Sequence, residues 1–363
     1  MRKIIRSIRE LHNTGYIKYA KRCTLCFIIL ALLVGCSTAP IPKPTGDYYW
    51  PLPPDPPKIK WVTWWTGSKD FEGSSSVLTF LLGEERWAFL WNPNGVITDL
   101  AGNLYVADPY FGVIYVFNFE KKTVEGIGKD EINGPLSLAM DNKSGVIYAT
   151  DTIGKMVVGF DTKTGKVMVR IGASGEFKNP SGIAFDDVKE RLYVSDSLNH
   201  TIRVYDKYGK YLFNIGKRGG EDGQFNFPSY LTFHDGKLYV ADTLNYRIQI
   251  FDGEGKFLKK FGKIGDSAGL FARPKGIGVD SEGHIYVVDS AFDAFQIFDE
   301  NGQLLLVVGK VGRGPGGFDM PTGLYIDRQD RIYISDTFNH RVQVFQYLKG
   351  EQGLKEQSPT EQK

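Results

Sequence analysis

Cysteine is all but missing from this 363-residue chain, and its three copies, Cys23, Cys26 and Cys36, lie within the first 36 residues. No disulfide can staple what folds beyond them, so stability there rests on packing. The apolar run at residues 23–34 is too short for a good membrane-spanning helix. Histidine is scarce. Beyond the leader only His200, His234, His284 and His340 occur, none within a few residues of another. That spacing disfavours a zinc or calcium centre with three or more protein ligands, and no metal or cofactor is expected. An excess of charge is lacking too. Residues 1–35 hold seven of the 44 basic side chains and one of the 42 acidic ones, Glu10, which leaves 37 bases against 41 acids in the remainder. A slightly acidic product has no global electrostatic reason to bind nucleic acid, and none is expected as a partner.

The basic segment before the apolar run gives residues 1–35 the layout of a signal peptide. The run ends in Leu33-Val34-Gly35-Cys36, which resembles the bacterial lipobox. The resemblance implies that residues 1–35 are removed as a lipoprotein signal peptide and that Cys36 is lipidated. Each buried acyl methylene would contribute about 0.8 kcal/mol to membrane attachment. Ser37 stands where an inner-membrane retention signal typically has Asp. The implied product is an exported bacterial lipoprotein of the outer membrane, facing the periplasm or the cell surface.

Residues 39–57 contain eight prolines, so residues 36–58 read as a proline-rich tether between lipid and folded domain. Beyond it the chain repeats itself. Tyr105-Val-Ala-Asp108, Tyr148-Ala-Thr-Asp151, Tyr193-Val-Ser-Asp196, Tyr239-Val-Ala-Asp242, Tyr286-Val-Val-Asp289 and Tyr333-Ile-Ser-Asp336 recur at steps of 43 to 47 residues. Pro93, Pro135, Pro180, Pro228, Pro274 and Pro321 keep the same step, and each opens an apolar segment that ends six residues later in Asp or, once, in His234. A period of this length built of short strands indicates an all-β propeller with one four-stranded blade per repeat, six in all.

One repeat shows the pattern: residues 182–185 form the inner strand, 191–195 the second, 201–205 the third and 210–215 the outer one. Asp and Gly residues such as Asp206 and Gly209 supply the tight turns between them. Three residues before each repeat proline stands a bulky apolar side chain, Leu90, Ile132, Phe177, Phe225, Phe271 or Phe318, which argues for a packing role. The Gly-rich stretch 309–317 looks superficially like a phosphate loop, but 216–223 and 262–269 repeat it at the blade period and no helix is signalled after any of them.

These residues resemble the NHL repeat family over residues 93–347. Asp196-Ser-Leu-Asn-His200, Asp242-Thr-Leu-Asn-Tyr246 and Asp336-Thr-Phe-Asn-His340 match its signature, while the repeats at Asp108, Asp151 and Asp289 lack the Asn. The resemblance implies six blades.

Second-to-third-strand loops and the loops between blades emerge on one face of a propeller, and the candidate ligand surface is placed there. It comprises Asn199, His200, Lys217, Arg218, Asn245, Tyr246, Arg247, Lys263, Lys310, Arg313, Asn339, His340 and Arg341. The plainer reading of the Asp and Asn residues is that they satisfy turn N–H groups. The function expected is a non-catalytic binding or scaffolding module for an envelope protein, peptide or polysaccharide. The alternative is a propeller enzyme, since a peptide-amidating lyase with NHL-like repeats and calcium-dependent lactonases have similar folds.

The sixth repeat has no outer strand of its own, which would leave an exposed edge. Residues 59–65, β-branched and aromatic, are expected to pair with 341–347 and complete a propeller spanning 59–347. Residues 68–92 read as an insertion with a short helix near 77–83, and 348–363 as a disordered polar tail. For the anchor, Cys36→Ser is expected to leave an unprocessed or soluble form; incorporation of labelled palmitate into that variant would refute lipidation at Cys36.

Overall fold

A computed structural model describes residues 43–52, 54–71, 88–172 and 175–350. The expected signal peptide, Cys36, the expected helix at 77–83 and the tail beyond 350 lie outside the described residues.

Six antiparallel sheets follow one another along the chain in the order of the repeats. Their inner strands are Val96–Thr98, Pro135–Asp141, Pro180–Asp186, Pro228–His234, Pro274–Val279 and Pro321–Ile326. The third blade continues with Arg191–Asp196, Thr201–Asp206 and Tyr211–Ile215. Its second strand is buried almost throughout because both faces pack against neighbouring blades, while Tyr211–Ile215 at the outer edge is largely exposed. This explains why the inner and second strands are near-continuous apolar runs while the outer strands face solvent with much of their length. The protein is a six-bladed β-propeller.

Two polar devices hold the blades. The signature Asp at the end of each second strand is wholly buried. Each carboxylate accepts backbone N–H groups from the loop that leads into its own inner strand, Trp91 and Asn92 for Asp108, Asn133 and Gly134 for Asp151, Asp319 for Asp336. In blades three to six the following Ser or Thr reaches the next blade: Ser197 donates to the Pro228 carbonyl at 2.6 Å, Thr243 to Pro274 at 2.9 Å, Ser290 to Pro321, and Thr337 to Pro93 at 2.9 Å, which stitches blade six to blade one. In the first repeat Pro109 occupies this position and has no hydroxyl to donate, and in the second Thr152 donates to Gly134 of its own blade.

The six predicted plugs are buried to within 2% of full exclusion. Gly172, Gly216, Gly262 and Gly309, in left-handed conformation after their outer strands, each lie under a plug ring; a Cβ on Gly216 would stand 2.3 Å from the Phe225 ring. These positions require glycine twice over, for the backbone and for the plug.

In the sixth sheet Ile59–Trp65 lies antiparallel against Arg341–Tyr347, with Ile59 opposite Tyr347 and Trp65 opposite Val342. Trp61 and Trp64 enter the core shared with Phe345, and Trp65 packs on Phe117 and Phe119 of blade one. The tether assignment needs correction at its C-terminal end. Tyr49–Trp50 forms a fifth strand on Ile59–Trp65, Tyr48 packs edge-on to Trp61 and Trp50 to Phe345. The aromatic triplet within the prolines has enough apolar surface to dock. At the other end Leu348 is buried and its N–H bonds Lys58 at 2.8 Å, so the folded part passes 347.

Deleting residues 59–67 is expected to abolish the cooperative thermal transition, and Trp64→Ala to cost about 3–5 kcal/mol. A circular dichroism melt of the deletion variant at the parent temperature would refute this.

Candidate functional site

Within a blade the strands alternate direction, so the propeller has a loop face, carrying second-to-third-strand and interblade loops, and a turn face, carrying the hairpins. Several residues expected as ligand contacts on the loop face are consumed inside it. Arg247 and Arg341 are buried. Arg247 Nε bonds Asp242 at 2.8 Å and Arg341 Nε bonds Asp336 at 2.7 Å. The rest of each guanidinium donates to carbonyls of the preceding Gly-rich loop, those of Gly220, Glu221 and Gln224 for Arg247 and of Arg313, Gly314 and Gly317 for Arg341. Asn245 and Asn339 likewise bridge the Asp carboxylate to Gly219 and Gly312, and Asn199 bonds Asp196 at 2.6 Å. Burial raises the Asp242 and Asp336 carboxyls, the Asn and Arg donors opposing it. The polar signature is therefore a clamp that shapes the Gly-rich loops.

His200, Tyr246 and His340 close one-turn helices in left-handed conformation. His200 Nδ1 accepts the Phe227 N–H at 3.1 Å, Tyr246 packs against the core, and His340 Nδ1 meets the Trp91 carbonyl. Lys217, Arg218, Lys263, Lys310 and Arg313 are exposed. Lys275 is different: half-buried at the start of its inner strand, its ammonium is lowered to about 8 by burial and by Arg273.

What the loop face offers instead is apolar. The residue two positions after the signature Asp is Tyr110, Ile153, Leu198, Leu244 or Phe338 in five blades, and these side chains are 48–67% exposed. Around Tyr110 they merge into an exposed aromatic cluster. Trp91 lies 5.4 Å from Tyr110 and stacks on His340 at 4.8 Å, while Phe111 packs on Tyr110 and on Phe89. The recurrence of an apolar residue between Asp and Asn was a readable signal for this ring.

The turn face holds a funnel of about 390 Å³ lined by all six inner strands. Its neck is tight: a Cβ on Gly182 would stand 2.1 Å from the Ser229 carbonyl oxygen, and one on Gly323 2.0 Å from that of Asn94. At the matching position blade four has Tyr230, buried, whose hydroxyl reaches Asn94 of blade one at 3.4 Å. Tyr230 thus fills the axis that the glycines leave open.

Toward the mouth, Asp99, Asp141, Asp186, Asp280 and Asp327 each cap their own hairpin. Blade four needs no cap. His234 pairs directly with Lys237, and Asp235 and Gly236 between them both have positive φ, the type I′ turn. The imidazole in the Asp position is released to line the funnel, half-buried, beside Asn142, Asp187 and Arg328 from the other hairpins. Burial and Asp141 raise the Asp187 carboxyl, against the pull of Lys143 and Arg328. Among the described residues no group of three His, Cys, Asp or Glu is placed to hold a metal ion.

A family model described as a 6-bladed beta-propeller matches residues 220–296, and the NHL repeat model matches 177–205 and 318–345. The protein brain tumor of Drosophila melanogaster is 34% identical over 58 residues, a span of 16% of this chain and 6% of that protein. Among solved structures, a Bacteroides thetaiotaomicron protein of unknown function superposes with TM-score 0.60 at 18% identity, covering 71% of this chain and 70% of its own. An auxiliary nutrient binding protein from the same organism gives 0.57 at 15%, covering 71% and 69%. A streptogramin B lyase gives 0.53 at 12%, covering 71% and 94%. At these identities the likeness is one of fold.

The clamp predicts a contrast in stability. Arg247→Ala, which leaves the Asp242 carboxylate buried without its ion pair, is expected to cost about 3–5 kcal/mol in urea unfolding. Lys217→Ala should stay within about 0.5 kcal/mol; equal effects would refute the clamp.

Proposed function

We propose that this six-bladed propeller of NHL repeats is a lipid-tethered, non-catalytic binding or scaffolding module of a bacterial envelope, holding a polypeptide or polysaccharide partner on its loop face. The observation that carries the reading is the ring of exposed apolar side chains that widens into the Phe89, Trp91, Tyr110 and Phe111 cluster. Soluble domains seldom keep so much aromatic surface in water without a partner for it. Trp and Tyr rings suit either apolar side chains or the carbon faces of sugars. The lipobox at Cys36 supplies the membrane attachment. A binding role is also known for one structural neighbour, the auxiliary nutrient binding protein.

A second reading, an enzyme of lyase or lactonase type, is favoured by one observation. His234 stands in the funnel without a turn to cap, placed where an imidazole could serve as a general base.

Photo-crosslinking in the native envelope separates the faces. A crosslinker at Phe338 is expected to form a defined adduct, one at Lys256 on the turn face none, and Trp91→Ala to weaken the captured partner about thirtyfold, the scale of an aromatic hot spot. Adducts from Lys256 alone, or an unchanged affinity in the Trp91 variant, would sink the loop-face reading. Turnover of a lactone or hydroxyglycine substrate that is lost in His234→Ala would install the enzyme reading in its place.

A further inference from the structure

The funnel on the turn face is a second site with its own chemistry. Because Tyr230 fills the neck, it is a blind pocket rather than a pore, and its volume of about 390 Å³ lies in the range of small-molecule sites, roughly 300–1,000 Å³. The wall is apolar: Ile97, Ile183, Leu231, Ile277 and Leu324 come from five different blades. The mouth is polar, and two opposite charges stand on it. Asp187 belongs to blade three and Arg328 to blade six, which are diametrically opposed in a ring of six.

Among the described residues Arg328 and Asp187 make no ion pair within salt-bridge distance, and both are exposed at the mouth; Lys143, whose Nζ donates to the Asp187 backbone carbonyl, is the cation nearest that carboxylate in effect. The neighbouring turn carboxylates behave otherwise: Asp327 pairs with Arg331 at 2.6 Å and Asp330 with Lys349 at 2.9 Å. Opposite poles on either side of the apolar wall set the charge pattern a ligand has to match. A ligand with one charge would satisfy one pole and leave the other facing it; a ligand with both charges, separated by an apolar body, satisfies the pair.

We propose that the funnel binds a short zwitterionic peptide, its carboxylate on Arg328, its ammonium on Asp187 and its apolar side chains on the inner-strand wall. The guanidinium fork suits a carboxylate. The proposal is independent of the loop-face reading, since it concerns the opposite end of the axis.

Calorimetric titration of the full-length protein in detergent with Leu-Leu, N-acetyl-Leu-Leu and Leu-Leu-amide tests it. Leu-Leu should bind and each blocked peptide should bind about tenfold or more weaker, a difference of about 1.4 kcal/mol. Arg328→Gln should erase the preference for the free carboxylate and Asp187→Asn the preference for the free amine, while Lys121→Ala on an outer hairpin should keep both. Because each preference is a ratio measured within one folded variant, a general loss of stability cannot imitate the result. No binding of Leu-Leu up to about 10 mM, near the weak end of the affinity scale, overturns the proposal. So does equal binding of the three peptides, or retention of both preferences in the Arg328 and Asp187 variants.

Discussion

The ring depends on a buried carboxylate repeated six times. A carboxylate withdrawn from water is costly unless its oxygens are filled with donors. Here the donors are backbone N–H groups of the loop that feeds the inner strand. That requirement ties the end of the second strand to the start of the first in each blade, which fixes how far the inner strand can slide. In blades three to six the hydroxyl after the Asp then reaches the next blade's proline carbonyl. There intrablade register and interblade spacing follow from two adjacent residues, and the plugs fill the space these bonds define.

The same physics explains which parts of the molecule could be read from the sequence. Strands, plugs and blade count repeat, so six copies of a weak signal add up to a strong one. The direction of a polar side chain does not announce itself in this way. Asn245 and Arg247 read equally well as surface donors or as partners of Asp242, and only the coordinates show the guanidinium turned inward to three loop carbonyls. His234 was visible as the odd residue in a column of Asp, but its release follows from a hairpin shorter than the others, and that depends on register. Tyr49 and Trp50 were hidden by the prolines around them, whose composition suggested an extended spacer.

Exposure then separates structure from function more sharply than residue type does. Charged and amide groups of the signature, which look chemical, are enclosed and satisfied; the apolar residues between them, which look structural, stand in water. An NHL loop needs the Asp, the hydroxyl and the Asn to hold its shape, and the position between hydroxyl and Asn points away from all three. That position is free to vary without loss of fold. Leu198, Leu244 and Phe338 there are more than the scaffold requires, and so is the stacking of Trp91 on His340 across the junction of the first and last blades.

Closure of the axis separates the two faces. Glycine at the neck in four blades, Gly95, Gly182, Gly276 and Gly323, brings neighbouring inner strands to within van der Waals contact, and a Cβ there would strike a carbonyl of the next blade; blade two has the small Ser137. Only one blade can place a large residue at that level, because a second would meet the first on the axis. Blade four does so with Tyr230, whose hydroxyl finds Asn94 on blade one. A ligand in the funnel therefore touches the underside of a filled neck, and anything held on the loop face lies beyond it. The filled neck separates the two faces along the axis, so the chemistry that lines the funnel and the apolar ring of the loop face are built from different residues of the same blades.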